Sequence, residues 1–431
     1  MRVWHLVTVA AVLVARDSAQ AQHLMIGAQV VPLVTQANPT AGRDVLTEGY
    51  LTQPVLMAHG AWRALRGVGT VNLEGLTLQR GELNTGGFGE GFVDRRHPHT
   101  YLHELMAGAE VDRGPLVTSV FFGRGFVPFG SDDPMMRPFE KYPTNHHLAQ
   151  VLERLVAIGA VRYGPVMLEG STFNGDEPVS PSDPPVWRRF GDSWSTRLTV
   201  LPLRGAELSA SFASVRSPEV RPGRGLDHRK TALVARYSRS ATNSWRYALA
   251  EWEHTDELDH GVTATALSSV LAEGAYCRSG AIIGARFERT DRPEEEPTLD
   301  PFRSPRPPID LTNLGVSRWT TMTLTLSAFP FDARVFSGRP FVEIERASVA
   351  PGDPPGLFNA QLRYGTSRLW MVSTGFRFRA GAFHKRMGRY GAADPDAPPM
   401  IAPAGTHVHQ PESHVMPSAP PVPQPVNRCA L

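Results

Sequence analysis

The sequence is short of three features: long hydrophobic runs, cysteines and an excess of charge of either sign. No stretch approaches the about eighteen consecutive apolar residues of a membrane-spanning helix, which excludes a helical membrane protein. The only cysteines are Cys277 and Cys429, too few for a disulfide framework. We expect two unpaired thiols, with a bridge in an oxidising compartment as the alternative. The formal net charge of +2 gives no bulk electrostatic reason to bind nucleic acid.

The N-terminus has the pattern of a secretory signal. Arg2 supplies the positive charge, residues 6–15 form a short apolar stretch, and the small residues 19–21 resemble a cleavage site. An apolar stretch of about ten residues is too short to span a membrane as a helix. We therefore predict a signal peptide over residues 1–21 and export of the rest; a buried N-terminal strand or helix is the alternative.

Apolar and polar side chains alternate in segment after segment of the exported chain. Trp194 and Leu198 alternate with Ser195 and Arg197, and residues 206–213 repeat the pattern. Successive side chains of a strand point to opposite faces, so each segment has one apolar and one polar face. A soluble sandwich also alternates, but a protein that enters a membrane without apolar helices must form a closed barrel.

Short connections rich in glycine, proline, asparagine and aspartate alternate with long polar ones. Seven tight turns and eight long loops give about sixteen strands, with fourteen to eighteen as the range. The predicted strands lie near 23–35, 52–65, 67–80, 101–112, 115–127, 149–162, 165–174, 192–202, 206–216, 228–239, 244–254, 262–276, 280–289, 312–328, 335–348 and 368–380. The predicted long loops are 36–51, 81–100, 128–148, 174–191, 217–227, 255–261, 290–311 and 349–367. We expect the loops 81–100 and 128–148 to fold inward and narrow the lumen.

Short turns on one rim and long loops on the other are typical of outer-membrane barrels. The sequence thus predicts an all-β fold, a transmembrane antiparallel barrel over residues 22–391, with short periplasmic turns and long outer loops. Residues 392–431 are rich in proline and alanine and lack periodicity, so we expect a disordered tail.

The densest polar cluster covers residues 94–104, where a glycine-rich loop leads into a strand. His97, His99 and His103 all stand at odd-numbered positions, so their side chains would lie along one face of an extended chain. His146 and His147 end another long loop. Imidazoles grouped in this way suit copper or zinc, so these five histidines are candidate metal ligands. The alternative is a hydrogen-bonded network that holds a long loop inside the barrel.

The same cluster carries a resemblance to a known group. Residues 92–99 (FVDRRHPH), 168–178 (LEGSTFNGDEP), 192–198 (DSWSTRL) and 217–219 (SPE) occur in this order. Over roughly residues 23–380 the chain resembles an uncharacterised group of porin-like bacterial outer-membrane barrels with a D-R-x-H-P-H signature. The resemblance implies a porin-like barrel in the outer membrane. Thr100 stands where the group's pattern has an acidic residue.

Charged residues at the strand positions expected to face inward predict a polar lumen. Charges are tolerated in the lumen, whereas on the lipid face they are costly. They are Glu153, Arg162, Glu169, Arg197, Glu207, Lys230, Arg236, Arg246, Arg286, Glu288, Glu343 and Glu345. Plain solvation of a wet face is the alternative. The candidate constriction combines this wall with the polar cluster, and its residues are Asp94, Arg95, Arg96, His97, His99, His103, Glu104, Arg197, Arg236 and Arg286.

We therefore predict a channel in the bacterial outer membrane for passive or weakly selective passage of small polar solutes or ions. No nucleophile or cofactor motif stands in a suitable context, so an enzyme is not expected. A copper- or zinc-handling barrel and a structural or adhesion barrel with a plugged lumen are the alternatives. Expected partners are membrane lipid, solutes and the barrel assembly machinery, with a homotrimer suggested by analogy with porins and no nucleic acid.

Overall fold

A computed structural model describes residues 23–38, 45–77, 100–178, 180–220, 223–295, 313–333, 336–352, 356–357, 359–381, 386–395 and 429. The predicted signal peptide lies outside these ranges. So do most of the predicted long loops 81–100 and 290–311 and most of the predicted tail.

The described residues form a closed antiparallel β-barrel, as predicted. Its strands are β1 (His23–Asn38), β2 (Leu46–Trp62), β3 (Leu65–Asn72), β4 (Leu102–Arg113), β5 (Leu116–Gly125), β6 (Arg154–Tyr163), β7 (Val166–Phe173), β8 (Ser193–Val200), β9 (Ala206–Val215), β10 (Asp227–Ala241), β11 (Ser244–Asp259), β12 (Val262–Arg278), β13 (Ala281–Glu295), β14 (Asn313–Ser327), β15 (Phe331–Ala333), β16 (Phe336–Pro351) and β17 (Arg368–Gly381). Each main strand pairs with its neighbours in sequence, and β1 pairs with β17, which closes the ring. The short β15 pairs only with β16, so the described wall has sixteen strands.

Three short helices lie in the long connections: α1 (Glu74–Thr77), α2 (His146–Ala149) and α3 (Ala360–Tyr364). None of the helices in the described ranges is long and apolar enough to cross a membrane.

The two rims differ as predicted. Tight turns join β4 to β5 and β6 to β7, and Gly114 and Gly164 adopt left-handed φ values of 72° and 55° that a side chain would disfavour. The connections at the opposite rim are mostly longer and include 126–153 between β5 and β6.

One predicted long loop, 255–261, is wrong. Strands β11 and β12 continue past the apolar zone to a two-residue turn at His260 and Gly261. The prediction failed because Asp256 and Glu257 place polar side chains on both faces of the strand, a pattern that is typical of a loop. The backbone ladder between the strands continues regardless of side-chain polarity.

The faces of the wall follow the sequence alternation. In β8, Trp194 and Leu198 are exposed on the outside, whereas Ser195 and Arg197 are buried on the inside. Arg246 is an exception to the predicted inward charges, because Trp245 and Tyr247 take the inward positions of β11 and leave Arg246 exposed. The outside is therefore the apolar face, as lipid contact requires.

Exposed aromatic side chains lie next to the short turns. They are Trp62, Tyr163, Tyr276, Phe329 and Phe336. Aromatic rings placed between an apolar zone and water form the belts that flank a membrane-embedded surface.

The chain does not end at the last strand. Residues 386–395 turn back into the lumen, where Ala392 and Ala393 are fully buried against Val117 and Ala160. This moves the boundary predicted at residue 391, since the first residues assigned to the tail belong to the folded interior.

The two cysteines form a disulfide, which corrects the expectation of unpaired thiols. Cys277 ends β12 beside a short turn, and Cys429 lies 152 residues later in the sequence. Both sulfurs are buried with Trp245, Tyr247 and Ile282. Spacing alone could not predict this pair, because the chain between the two residues crosses the membrane region several times.

Candidate constriction site

The connection 126–153 between β5 and β6, called here the inserted loop, folds into the barrel. Phe129, Met135, Phe139 and Tyr142 are buried inside it. The two ends of the loop lie side by side where they join the wall, because the Val127 N–H donates to the Val151 carbonyl over 3.0 Å. The prediction that residues 128–148 fold inward is confirmed.

Carboxylates of the wall hold the loop through its backbone. Glu343 on β16 accepts hydrogen bonds from the N–H groups of Glu140 and Lys141, at 3.0 and 2.6 Å. Glu288 on β13 accepts one from the N–H of Thr144 at 2.5 Å. Buried backbone donors need partners, so wall carboxylates replace the ladder that an irregular segment lacks.

Ion pairs of two arginines also hold this loop, and one of these arginines belongs to the wall and the other to the loop. Arg377 on β17 donates to Glu140 over 2.7 and 3.0 Å, and burial raises the pKa of Glu140 although Arg377 opposes that rise. Arg137 of the loop reaches another part of the wall and lies 2.9 Å from Glu251 on β11 and 3.7 Å from Glu273 on β12. The loop is thus held by the wall at more than one strand.

The segment 386–395, called here the C-terminal segment, occupies the lumen beside the loop. Arg386 contacts Asp132 at 2.6 Å and Glu207 at 2.9 Å. Arg389 contacts Glu207 at 2.6 Å and lies 3.4 Å from both Asp132 and Glu169. Burial alone would raise the pKa of Asp132, but the nearby arginines hold it below its usual range.

A tyrosine joins the C-terminal segment to the wall. The Tyr390 hydroxyl donates to Glu104 over 2.7 Å and accepts from the N–H of Phe126 over 3.0 Å. Glu104 also accepts from Thr70 at 2.7 Å. One hydroxyl therefore links β4, the start of the inserted loop and the C-terminal segment.

The structure describes only part of the predicted polar cluster. Asp94, Arg95, Arg96, His97 and His99 lie outside the described residues, so their place at the constriction stays a prediction. His103 and Glu104 are both buried, at a register shift where β4 pairs with β3. His103 Nδ1 lies 2.6 Å from Glu153 Oε1, and its ring packs edge-on to Phe126 at 5.1 Å.

The three wall arginines predicted at the constriction all meet the inserted loop. Arg197 forms two hydrogen bonds with Glu169, at 2.6 and 2.7 Å, and also reaches the Gly130 carbonyl at 3.3 Å. Arg286 donates to the Lys141 carbonyl over 2.7 Å. Arg236 lies 3.8 Å from Asp132. Each guanidinium is used in holding the loop.

The predicted metal ligands are not brought together among the described residues. Among the described residues, no group of three or more histidine, cysteine, aspartate or glutamate side chains is placed to hold a metal ion. His146 is buried and stacks on Tyr142 at 5.5 Å, and the His147 side chain lies outside the description. Because His97 and His99 also lie outside it, copper or zinc binding stays a prediction.

Most of the side chains that sequence reasoning missed lie in segments without periodicity, namely Asp132, Arg137, Glu140, Arg386 and Arg389. Arg377 is the exception, because it lies on the predicted strand 368–380. One signal was present: Arg386 and Arg389 stand three residues apart in a stretch that otherwise looks like the start of a tail.

Inward side chains are buried around the whole ring. Thr35 on β1, Thr70 on β3, Glu253 on β11 and Ser373 on β17 are each at most 1% exposed. Wall residues of a wide water-filled passage would be exposed to solvent, so the lumen in this conformation is narrow or closed at their level.

Known proteins are similar to this chain only at low sequence identity. No family model matches the sequence, and no curated protein matches it. An anion-selective porin from Comamonas acidovorans has a TM-score of 0.49 and 10% identity, covering 84% of this chain and 100% of its own. OmpT of Vibrio cholerae has a TM-score of 0.45, 8% identity, and 85% and 99% coverage. OpdO of Pseudomonas aeruginosa has a TM-score of 0.38, 10% identity, and 84% and 98% coverage. At these identities and TM-scores the likeness carries no argument about solutes or mechanism.

Proposed function

We propose that this protein is a porin-like channel of the bacterial outer membrane for small polar solutes or ions. The inserted loop and the C-terminal segment narrow its lumen. The observation that carries the proposal is the inserted loop itself, which is held inside the barrel by Arg377 of β17 and, through its own Arg137, by Glu251 of β11.

The two faces of the wall support a membrane location. Large apolar side chains such as Leu168, Leu233 and Leu324 are at least half exposed on the outside, while the neighbours of Leu324 along the strand, Thr323 and Thr325, are buried on the inside. A closed barrel with this arrangement satisfies its backbone and presents hydrocarbon to lipid. Export by the predicted signal peptide leads to the same compartment.

The charges of the lumen support weak selectivity. Buried carboxylates such as Glu251, Glu273 and Glu343 share the lumen with the buried guanidiniums of Arg197, Arg286 and Arg377. With both signs present, neither cations nor anions meet a uniform field along the passage.

Planar-bilayer recording of the full-length protein tests the proposal. We expect discrete ion-conducting steps, and larger steps when Arg377→Ala removes one anchor of the inserted loop. Arg368→Ala changes an exposed arginine at the start of the same strand and serves as the matched control. A flat current from both Arg377→Ala and wild type, with folding proven by heat-modifiable gel mobility, would overturn the channel.

A structural barrel with a plugged lumen is the second candidate. The burial of inward side chains around the ring favours it, because a permanently filled lumen has the same appearance. The bilayer experiment separates the two candidates, since a permanent plug predicts no current from any folded variant. Homotrimer formation is a further expectation that chemical cross-linking in membranes would test.

A further inference from the structure

We propose that the C-terminal segment is a displaceable plug of the channel, and that the Cys277–Cys429 disulfide keeps it tethered at the short-turn rim. This inference rests on the proposed channel function. Opening would require Arg386 and Arg389 to leave their carboxylates while the barrel wall stays intact.

Carboxylates from three separate elements hold the plug in place through ion pairs. Asp132 comes from the inserted loop, Glu207 from β9 and Glu169 from β7, and two guanidiniums of the C-terminal segment satisfy them. All five side chains are buried. A seat of this kind is specific because a carboxylate left without its arginine in the interior is strongly disfavoured.

The segment can leave without breaking the sheet. The N–H groups of Arg389, Ala393 and Asp394 bond to carbonyls within the segment itself, at 2.9, 3.2 and 2.9 Å. Its bonds to the barrel involve side chains, such as the Ala392 N–H donating to Ser119 Oγ over 3.0 Å. Displacement therefore exchanges side-chain contacts for water and leaves the strand ladders in place.

The chain is attached to the barrel on both sides of the plug, and both points of attachment lie at the short-turn rim. Strand β17 ends at Gly381, which pairs with Gly27 near the start of β1, and Cys277 ends β12 beside the turn at Ser279 and Gly280. The plug is thus connected to the barrel by the last strand on its N-terminal side and by the disulfide on its C-terminal side. A tethered segment returns to its seat as an intramolecular event, at a high effective concentration.

Single-channel recording on the full-length protein tests the plug. Arg386→Ala/Arg389→Ala should raise the time spent in a large-conductance state by about tenfold or more, because buried Glu207 loses both arginine partners and Asp132 loses two of its three. Arg216→Ala, which removes an exposed arginine paired with Asp227, should behave like wild type.

A covalent lock tests the same idea without removing charge. Ser119→Cys/Ala392→Cys is made in a Cys277→Ser/Cys429→Ser background, so that the only disulfide joins the plug to β5. Oxidised protein should lose the large-conductance state, and reductant should restore it. The background alone should show longer openings than wild type, because its freed end leaves the rim.

The outcomes separate the plug from the channel. If wild type conducts while the arginine variant and the lock change nothing, the plug is wrong and the channel stands. If no folded variant conducts, both are wrong. If the Cys277→Ser/Cys429→Ser protein opens and closes like wild type, the tether is wrong. Should the arginine variant fail to fold, the lock still decides about the plug.

Discussion

Arg377 on the barrel wall and Glu140 on the inserted loop form a buried ion pair with N–O distances of 2.7 and 3.0 Å. The same guanidinium also donates to the carbonyls of Arg137 and Phe139, at 3.2 and 3.1 Å. One wall residue therefore binds the loop at three positions, through its backbone and through a side chain. This guanidinium fastens the loop to β17.

Replacing Arg377 with alanine should loosen the loop and destabilise the protein. Removal of one partner from a buried pair costs about 3–5 kcal/mol. The free energy of unfolding, measured by tryptophan fluorescence in lipid vesicles with increasing urea, should fall by that amount. Arg368→Ala is the control and should change little, and equal midpoints for the two variants would contradict the anchoring role.

The plug should resist mild acid. The arginines hold the folded-state pKa of Asp132 below its usual range, so the stabilisation is present above about 3.9 and is lost as pH falls through the lower folded value. The fraction of time that the plug is displaced, read as the large-conductance state, should therefore stay constant from pH 8 to about pH 5 and rise only in stronger acid. Asp132→Asn should give the acid behaviour at neutral pH. A rise near pH 6 in the wild type would show that another group controls the seat.

The Cys277–Cys429 disulfide should be detectable chemically. Denatured protein without reductant should react with no equivalents of a maleimide, and reduced protein with two, since the structure pairs both cysteines. Mass spectrometry of the labelled chain reads the number directly. Labelling of two thiols in unreduced protein purified from membranes would remove the tether.

Charge on the outer face should be costly only where the wall meets lipid. Leu324 of β14 and Leu362 of α3 are both well exposed, but only Leu324 lies on the wall. Leu324→Arg should reduce stability in a bilayer by about 2–4 kcal/mol, whereas Leu362→Arg should have little effect. Urea unfolding in vesicles measures both. Similar small effects at the two positions would mean that the outer face does not contact hydrocarbon.

Periodicity was sufficient to predict the wall. Each of the sixteen main strands overlaps a predicted one, because the alternation that separates Leu198 from Arg197 is local and is imposed by the pleat. The same local logic failed at Glu257, where a strand continues beyond the apolar zone with polar residues on both faces.

The contents of the lumen were less predictable. That residues 128–148 form a long loop followed from their position between strands, but the partners of Asp132 and Glu140 did not. These contacts join residues more than two hundred positions apart. The end of the C-terminal segment resembles a tail in sequence because proline and alanine dominate the residues beyond it, and only Arg386 and Arg389 mark the segment as different.

The current carried by the folded full-length protein across a planar lipid bilayer tests the central claim most directly. A channel narrowed by an inserted loop predicts discrete steps in the wild type that become larger when Arg377 is replaced by alanine. A bilayer that stays electrically silent with both proteins, each shown to be folded and inserted, would contradict it.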